Sequence, residues 1–273
     1  DSDDNSNNSL SLRSTSNSSS SKCQTKRHIE LYFQGGEGVV TYINGAPEVR
    51  CSAGFSAVHS LTLEKYLFTS ARCLSSNTQE IYHAVWDSPN IHQNPFGVLR
   101  EFKLTGTDYA LIEKLNNEYK LNPFIRNSLW NELPSLFIDS FNFQGVQLPA
   151  NHHLCISGYD SHVKCGSVTN PIGVFSPISL RPGSHADHFS HMIRAIIDGD
   201  LSDRDRGGTV FSMEPGGGNP FLMVHGILTD VRYVAAHDNS IVTIQPLYRI
   251  IQQNLNFSSF RFVDLDIYQQ FQQ

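Results

Sequence analysis

The sequence predicts an all-β protein, built as a sandwich or a barrel, and two observations support this. From Leu31 onward, short runs of β-branched and aromatic residues alternate with clusters of Gly, Pro, Asn and Asp. Such runs are typical of strands of ~4–8 residues joined by turns. Segments with the 3.6-residue period of an amphipathic helix are scarce. Many short strands with few helices favour these two architectures.

Length and charge limit the classes of function. The chain has 273 residues, of which 39% are hydrophobic, which is enough for a substantial core. All-β units often reach about 250 residues as one domain. The net charge is −6, from 20 Lys and Arg against 26 Asp and Glu, which argues against a nucleic-acid or anionic-membrane partner. No apolar run approaches ~18 residues, so no transmembrane helix is expected.

The first segment, residues 1–28, is predicted to be a disordered tail or the remnant of a pro-segment. Residues 1–22 include ten Ser, four Asn and three Asp. So few apolar side chains cannot offset the entropy lost on ordering. Glycosylation sequons occur at Asn7 and Asn17 in this tail and at Asn256 near the C-terminus.

Strands are predicted directly after the tail, and one helix is predicted near the end of the chain. The clearest strand runs are residues 38–43, 66–69, 80–85 and 222–228. The helix candidate is 246–253, where Pro246 suits a first turn. Residues 30–35 (Glu-Leu-Tyr-Phe-Gln-Gly) resemble an engineered protease-cleavage tag, although strand-like sequence follows at once. Both a tag and native sequence stay open.

Three separated segments, the first of them in two parts, carry short motifs that follow one another in a characteristic order. Residues 51–55 read Cys-Ser-Ala-Gly-Phe, and residues 67–73 read Leu-Phe-Thr-Ser-Ala-Arg-Cys. Residues 107–112 contain Asp-Tyr-Ala-Leu, and residues 204–211 begin Arg-Asp-Arg-Gly-Gly-Thr-Val. Together they resemble the Thr-Ala-Ala-His-Cys, Asp-(Ile/Tyr/Phe)-Ala-Leu and Gly-Asp-Ser-Gly-Gly-Pro-Val motifs of chymotrypsin-like serine peptidases. The streptogrisin and alpha-lytic branch is the most similar.

This resemblance covers about residues 33–255 and implies a fold. It implies two packed six-stranded antiparallel β-barrels with a short C-terminal helix. The expected domain spans residues 29–273, with barrels at about 29–125 and 126–255 and a C-terminal extension.

The resemblance also implies two disulfides and an oxidising, extracellular compartment. Cys51 and Cys73 have 21 residues between them and stand where the family bonds these two cysteines. Cys155 and Cys165 match the family's cysteine hairpin. Cys23 is left in the tail, as a free thiol or an intermolecular partner.

The departures from the family motifs concern the catalytic residues themselves. Arg72 occupies the histidine position, Arg206 the serine position, and Arg204 the glycine whose backbone N–H the family uses in its oxyanion hole. Asp108, at the acid position, is the only one of the three triad residues that is retained. Because the pKa of arginine exceeds ~12, Arg72 cannot act as the general base, and no hydroxyl nucleophile remains at position 206.

The sequence therefore predicts a secreted pseudoprotease that binds a protein or peptide in the former substrate cleft. One alternative is an active serine endopeptidase that uses a displaced serine, Ser202 or Ser212. A second is a structural or storage protein. No cofactor, metal, nucleic acid or membrane partner is expected, and a monomer is expected.

Two interpretations of the former triad stay open. In the first, Arg72 forms a structural ion pair with buried Asp108. In the second, Arg72, Arg204 and Arg206 form a local cationic cleft for an anionic ligand or acidic peptide. Asp108 contributes to the site in either case.

Other polar residues are given structural or incidental roles. Asp205 precedes the serine position and is expected to support its loop. Asp200 stands where the trypsin branch places a specificity acid, so a pocket role is a minor alternative. The histidine run 185–191, the pair at 152–153 and the triple glycine at 216–218 are expected to lie in loops rather than to bind metal or nucleotide.

Overall fold

A computed structural model describes residues 31–88, 90–175, 189–214, 221–253 and 260–261. The described residues form eighteen strands, one α-helix and three short 3₁₀ turns. The strands are β1 (Leu31–Gly35), β2 (Gly38–Ile43), β3 (Ala46–Ser52), β4 (Ser56–His59), β5 (Lys65–Thr69), β6 (Glu80–Ala84), β7 (Gly97–Lys103), β8 (Tyr109–Lys114), β9 (Tyr119–Arg126), β10 (Ser135–Phe137), β11 (Ser140–Phe141), β12 (His153–Gly158), β13 (His162–Phe175), β14 (Phe189–Asp198), β15 (Thr209–Glu214), β16 (Phe221–Val234), β17 (Asn239–Pro246) and β18 (Phe260–Arg261). The helix is α1 (Leu247–Gln253), and the 3₁₀ turns are Ala71–Cys73, Asp203–Asp205 and Ala235–His237.

The first barrel is closed by one bent segment that contains β3 and β4. The sheet order is β18-β4-β5-β8-β7-β6-β2-β3. Between β3 and β4, the N–H of Ala53 donates to Glu37 O at 2.7 Å, and the N–H of Gly54 donates to Phe68 O at 2.7 Å. The bend therefore joins the β2 side of the sheet to the β5 side. The ring therefore has six antiparallel segments: the bent segment with β3 and β4, and the strands β5, β8, β7, β6 and β2.

The second barrel is closed by strand pairing throughout. Its order is β15-β12-β13-β14-β17, and β16 pairs with both β15 and β17. Every pair in this ring is antiparallel. The predicted all-β fold of two six-stranded antiparallel barrels is therefore confirmed.

A small sheet links the two barrels. β1 lies parallel to β9, and β10 pairs antiparallel to β9. Phe33 in β1 is fully buried in the core of the first barrel. An integral core strand at residues 31–35 favours native sequence over an appended tag. The predicted boundary near residue 125 falls within β9, and the domain limits stay a prediction.

A cluster of apolar side chains from both barrels packs between them. It combines Phe55 and Phe68 of the first barrel with Phe211 and Ile227 of the second. Helix α1 packs against it through Leu247 and Ile250, both fully buried. The helix begins directly after Pro246, close to the predicted start. Burying so much apolar surface at ~25 cal/mol per Å² makes this interface a major source of stability.

Both predicted disulfides are present in the described part of the chain. Cys51 and Cys73 have Cα atoms 5.7 Å apart. Cys155 and Cys165 are directly opposite each other on β12 and β13, with Cα atoms 4.0 Å apart. Each closes a loop and contributes a few kcal/mol in the usual range.

Some predicted features lie outside the described residues. They are Asn7, Asn17, Cys23, His185, His188, Asn256 and residues 216–218. Within the described ranges, no helix has the length and apolar character needed to cross a membrane.

Candidate functional site

Three segments from both barrels meet where the sequence places the former triad. The first is the 3₁₀ turn Ala71–Cys73, which follows β5. The second is Asp108, directly before β8. The third is the 3₁₀ turn Asp203–Asp205 with Arg206 after it. The barrel interface thus brings residues separated by more than a hundred positions into one site.

Asp108 is fully buried and held by local donors. The Ser70 hydroxyl donates to its Oδ2 at 2.6 Å, and the backbone N–H of Arg72 donates to its Oδ1 at 3.2 Å. The N–H of Asp108 in turn donates to Oε1 of Gln245 at 2.9 Å. Burial raises the pKa of this carboxyl to about 6, against the opposing effects of the Ser70 hydrogen bond and the Arg72 charge. Arg72 thus contacts Asp108 through its backbone amide, and the charge of its guanidinium adds a coulombic attraction.

The guanidinium groups of Arg72 and Arg206 both approach Asp230, a residue of β16. Arg206 Nη2 donates to Asp230 Oδ1 at 3.1 Å and lies 2.7 Å from Asp203 Oδ1. Arg72 Nη2 lies 3.8 Å from the same Asp230 oxygen. The two arginine side chains are only 15% and 13% exposed. We call these four residues the arginine–aspartate cluster; it spans both barrels at the histidine and serine positions.

Arg204 does not belong to this cluster. Its side chain is 56% exposed, and its Nη1 lies 3.7 Å from Asp160 Oδ1. Residues of a 3₁₀ turn project about 120° apart, so positions 204 and 206 face different directions. The sequence analysis considered one cationic cleft formed by Arg72, Arg204 and Arg206. In the structure Arg204 pairs with Asp160 instead of Asp230, so it is not part of the cluster that the other two arginines form.

Backbone N–H groups of the turn Asp203–Asp205 donate to acceptors within the turn itself. Ser202 accepts from the N–H of Arg204 at 3.0 Å, and the Asp205 carboxylate accepts from the N–H of Ser202 at 2.7 Å. This reciprocal pair is a capping box. The N–H of Arg206 donates to Asp203 O at 3.4 Å. The N–H groups of the two positions that form the family's oxyanion hole thus both donate within the turn.

Asp205 anchors this turn to the second barrel. It is fully buried, and its carboxylate accepts from the N–H of Asp160 at 2.9 Å and from both the N–H and the hydroxyl of Ser161, at 3.1 and 2.6 Å. Burial raises the pKa of Asp205, while these hydrogen bonds oppose the rise. The geometry agrees with the structural role expected from the sequence.

Ser212, one displaced-nucleophile candidate, faces a histidine inside the second barrel. Its Oγ is 2.8 Å from Nε2 of His225, and both residues are buried. The amide of Asn142 is oriented by two hydrogen bonds to Val146, at 2.9 and 3.2 Å, so that its Nδ2 faces His225 Nδ1 at 3.4 Å. This network assigns the ring proton to Nε2, which donates to Ser212.

With the ring proton on Nε2, the Ser212–His225 pair is not arranged as a nucleophile with its base. Burial lowers the pKa of His225 to about 4, so the ring is neutral near pH 7. A general base would need a free lone pair on the nitrogen that faces the serine hydroxyl. Ser202, the other candidate, uses its hydroxyl as the cap of the 3₁₀ turn.

The remaining candidates are Asp200 and the histidines. Asp200 is exposed at the end of the segment after β14. The expected loop positions of the histidines are wrong for two of them, because exposed His191 lies in β14 and exposed His153 begins β12. His153 lies near Cys155 and Cys165, the only possible metal cluster among the described residues. Because those two sulfurs are joined in a disulfide, they cannot serve as thiolate ligands.

A pocket of about 470 Å³ opens beside the arginine–aspartate cluster. Arg72 lines one side, and Arg50 of β3 lines another. Tyr42 and Tyr82 contribute aromatic walls, with ring centroids 4.7 Å apart in an edge-to-face arrangement. Thr78 adds a hydroxyl. Sequence reasoning did not identify this pocket, although Arg50 and Arg72 directly precede Cys51 and Cys73, the two cysteines of the first disulfide.

Comparison with known proteins supports the fold through structure alone. No protein-family model and no curated protein matches the sequence. Chymotrypsin of Cellulomonas bogoriensis has a TM-score of 0.58 at 16% identity, over 85% of this chain and 99% of that chain. Protease A of Thermobifida fusca has a TM-score of 0.57 at 14% identity, over 85% and 98%. Nocardiopsis protease has a TM-score of 0.58 at 15% identity, over 85% and 100%.

The similarity includes nearly the whole length of these bacterial proteases and both barrels of this chain. The chain has the chymotrypsin-like serine protease fold.

Proposed function

We propose that this chain is a secreted, non-catalytic homologue of the serine proteases that binds a peptide or protein at the former active-site face. The arginine–aspartate cluster carries the proposal. Peptide hydrolysis on this fold needs a hydroxyl nucleophile and a base with a pKa near neutrality. The cluster places two permanently charged guanidinium groups at those positions and joins them to Asp230.

The capping box of Ser202 supports the same proposal independently. A tetrahedral intermediate is stabilised by N–H groups that point at the developing oxyanion. Here the N–H groups of Arg204 and Arg206 already have acceptors within the turn. Removing even one such donor costs about 10²–10³-fold in rate.

Binding is favoured over a purely structural or storage role by the pocket beside the cluster. A volume of about 470 Å³ lies in the range of ~300–1,000 Å³ typical of ligand sites. A protein with no ligand has no need of a pocket lined by Arg50 and Arg72. Secretion is supported by the two disulfides, which persist in oxidising compartments.

The catalytic part of the proposal is tested with an active-site-directed fluorophosphonate probe and a general peptide substrate library. We expect neither covalent labelling nor hydrolysis by the purified chain. Labelling that disappears in the Ser202→Ala or Ser212→Ala variant would instead establish an active peptidase with a displaced serine.

The binding part is tested by selecting random displayed peptides on the purified chain. Enriched peptides should bind the Tyr42→Ala variant about tenfold or more weakly, because a packed aromatic wall is lost. Tyr233→Ala is the matched control, since Tyr233 is 41% exposed and Tyr42 is 46% exposed. No enrichment, or an equal loss in both variants, would support the structural or storage alternative.

A further inference from the structure

Two arginines line the pocket beside the arginine–aspartate cluster. Arg50 and Arg72 line it together with one acidic residue, Glu80. The lining therefore has a local excess of one positive charge, although the chain as a whole carries −6. A local excess of this kind attracts an anionic group without making the whole molecule a polyanion binder.

Arg50 can exchange its present contact for a ligand. Arg50 pairs with Glu48 at 3.0 Å on the surface, where both side chains are more than a third exposed. Such exposed pairs contribute little, about 0–1 kcal/mol. Arg72 also lines the pocket, and its charge adds to that of Arg50. A carboxylate in the pocket would offer the Arg50 guanidinium a second, less exposed partner.

The other polar groups of the pocket suit a small acidic group. The Tyr82 hydroxyl donates to Glu80 at 2.8 Å, so that carboxylate already has a partner. Thr78 Oγ1 accepts from the N–H of Ser75 at 3.2 Å, which leaves the hydroxyl proton for another acceptor. The edge-to-face rings of Tyr42 and Tyr82 can pack against the apolar part of a ligand.

We propose that this pocket binds an acidic peptide, with an Asp or Glu carboxylate between Arg50 and Arg72. The inference rests on the proposed function and specifies its ligand. A peptide fits better than a nucleic acid or a sulfated polysaccharide. Polyanions of those classes need many basic contacts. Here Arg50 and Arg72 are the only basic side chains among the described residues that line the pocket. The nearby carboxylates of Glu48 and Glu80 would repel a highly charged polymer.

The test uses two fluorescein-labelled hexapeptides, Gly-Ala-Tyr-Glu-Ala-Gly and the same peptide with Gln in place of Glu. Fluorescence anisotropy should show the Glu peptide binding about tenfold or more tightly, the effect of one charge-assisted hydrogen bond. Arg50→Ala and Arg72→Ala should each reduce that affinity about fivefold or more, whereas Arg50→Lys should reduce it less. Arg232→Ala, an exposed arginine of β16, is the control and should change nothing.

Equal affinity for the Glu and Gln peptides, or an equal loss in Arg232→Ala, would overturn the acidic-ligand inference. Tighter Arg50-dependent binding of a heparin-derived oligosaccharide would overturn the choice of a peptide. Arg50→Glu decides the question if Arg72→Ala does not fold, because Arg50 lies at the surface. The display selection judges the proposed function separately, since selected peptides without acidic residues would leave that function standing.

Discussion

Asp108, which the sequence motifs align with the acid of the serine-protease triad, makes contacts that differ from those of a triad acid. In a working triad the acid orients a histidine and stabilises its charged form. In this chain the carboxyl instead accepts hydrogen bonds from Ser70 and from the backbone of Arg72. Full burial outweighs these favourable contacts and raises its pKa to about 6. The ionised form is therefore tolerated at neutral pH rather than strongly stabilised.

The raised pKa of Asp108 predicts a specific pH dependence of stability. Its pKa is 3.8 when unperturbed and about 6 in the fold. Between these values the folded state holds the proton more often than the unfolded state, so this residue makes the protein less stable as the pH rises. The full difference corresponds to about 3 kcal/mol above pH 6.

The measurement is urea unfolding of the wild-type chain and of Asp108→Asn at pH 5 and pH 7.5. The amide cannot ionise, so the variant should lose this share of the pH dependence. An identical pH dependence in both proteins would mean that Asp108 does not titrate in this window.

Asp230 is predicted to be the most important residue of the arginine–aspartate cluster for stability. Replacing it with Ala leaves the mostly buried guanidinium groups of Arg72 and Arg206 close together without their shared acid. Breaking such a partly buried pair should cost about 2–4 kcal/mol of unfolding free energy.

Asp203→Ala provides the comparison in the same urea measurement. Asp203 contacts Arg206 as well, but its side chain is 69% exposed, so its loss should cost under about 1 kcal/mol. Similar costs for the two variants would show that Asp230 is no more than a surface partner of the arginines.

At the level of an element, the hydrogen bonds of the 3₁₀ turn Asp203–Asp205 predict that restoring side chains alone would not produce a catalytic site. A change of Arg72 to His, Arg204 to Gly and Arg206 to Ser would restore the family's motif residues. The Ser202 cap would remain, and it does not depend on the side chain at position 204. This triple variant should therefore still lack fluorophosphonate labelling.

Adding Ser202→Ala to the triple variant should release the N–H of residue 204 and produce detectable labelling. In the otherwise wild-type chain, Ser202→Ala should speed amide hydrogen exchange at Arg204 about five- to thirtyfold, the equivalent of a cap worth ~1–2 kcal/mol. Exchange at Gly207, which donates to Leu228 O at 2.7 Å, should stay unchanged. Unaltered exchange at Arg204 would show that Ser202 does not hold the turn.

Sequence patterns predicted the whole molecule better than they predicted the contacts within its site. Strand runs, cysteine positions and motif order indicated the barrels, because these features repeat locally or match a known pattern. The capping box was also readable, since Ser202 and Asp205 have the Ser-x-x-acid spacing of a helix start. We interpreted Ser202 only as a displaced nucleophile.

The partners of the arginines could not be predicted in the same way. Asp230 reaches Arg72 and Arg206 only through the register of β16 against β15 and β17. That register places Asp230 opposite Thr243 after an irregularity in the pairing. No local spacing around Asp230 in the sequence indicates this position. Arg50 is different, because it directly precedes Cys51, and the predicted disulfide to Cys73 already indicated that it lies near Arg72.

The short strand β18 gives the molecule a protected edge in its first barrel. It pairs with β4, where Phe260 lies opposite His59, and the Phe260 ring packs on Tyr66 with centroids 5.4 Å apart. Unpaired strand edges are templates for association between chains. A chain truncated after Gln253 would expose the outer edge of β4.

Such a truncated chain should therefore self-associate with rising concentration, as measured by sedimentation velocity, while the full chain should not. A truncated chain that stays monomeric would show that β4 needs no cover. The two residues of β18 would then matter for solubility, because they cover a strand edge that could otherwise pair with another chain.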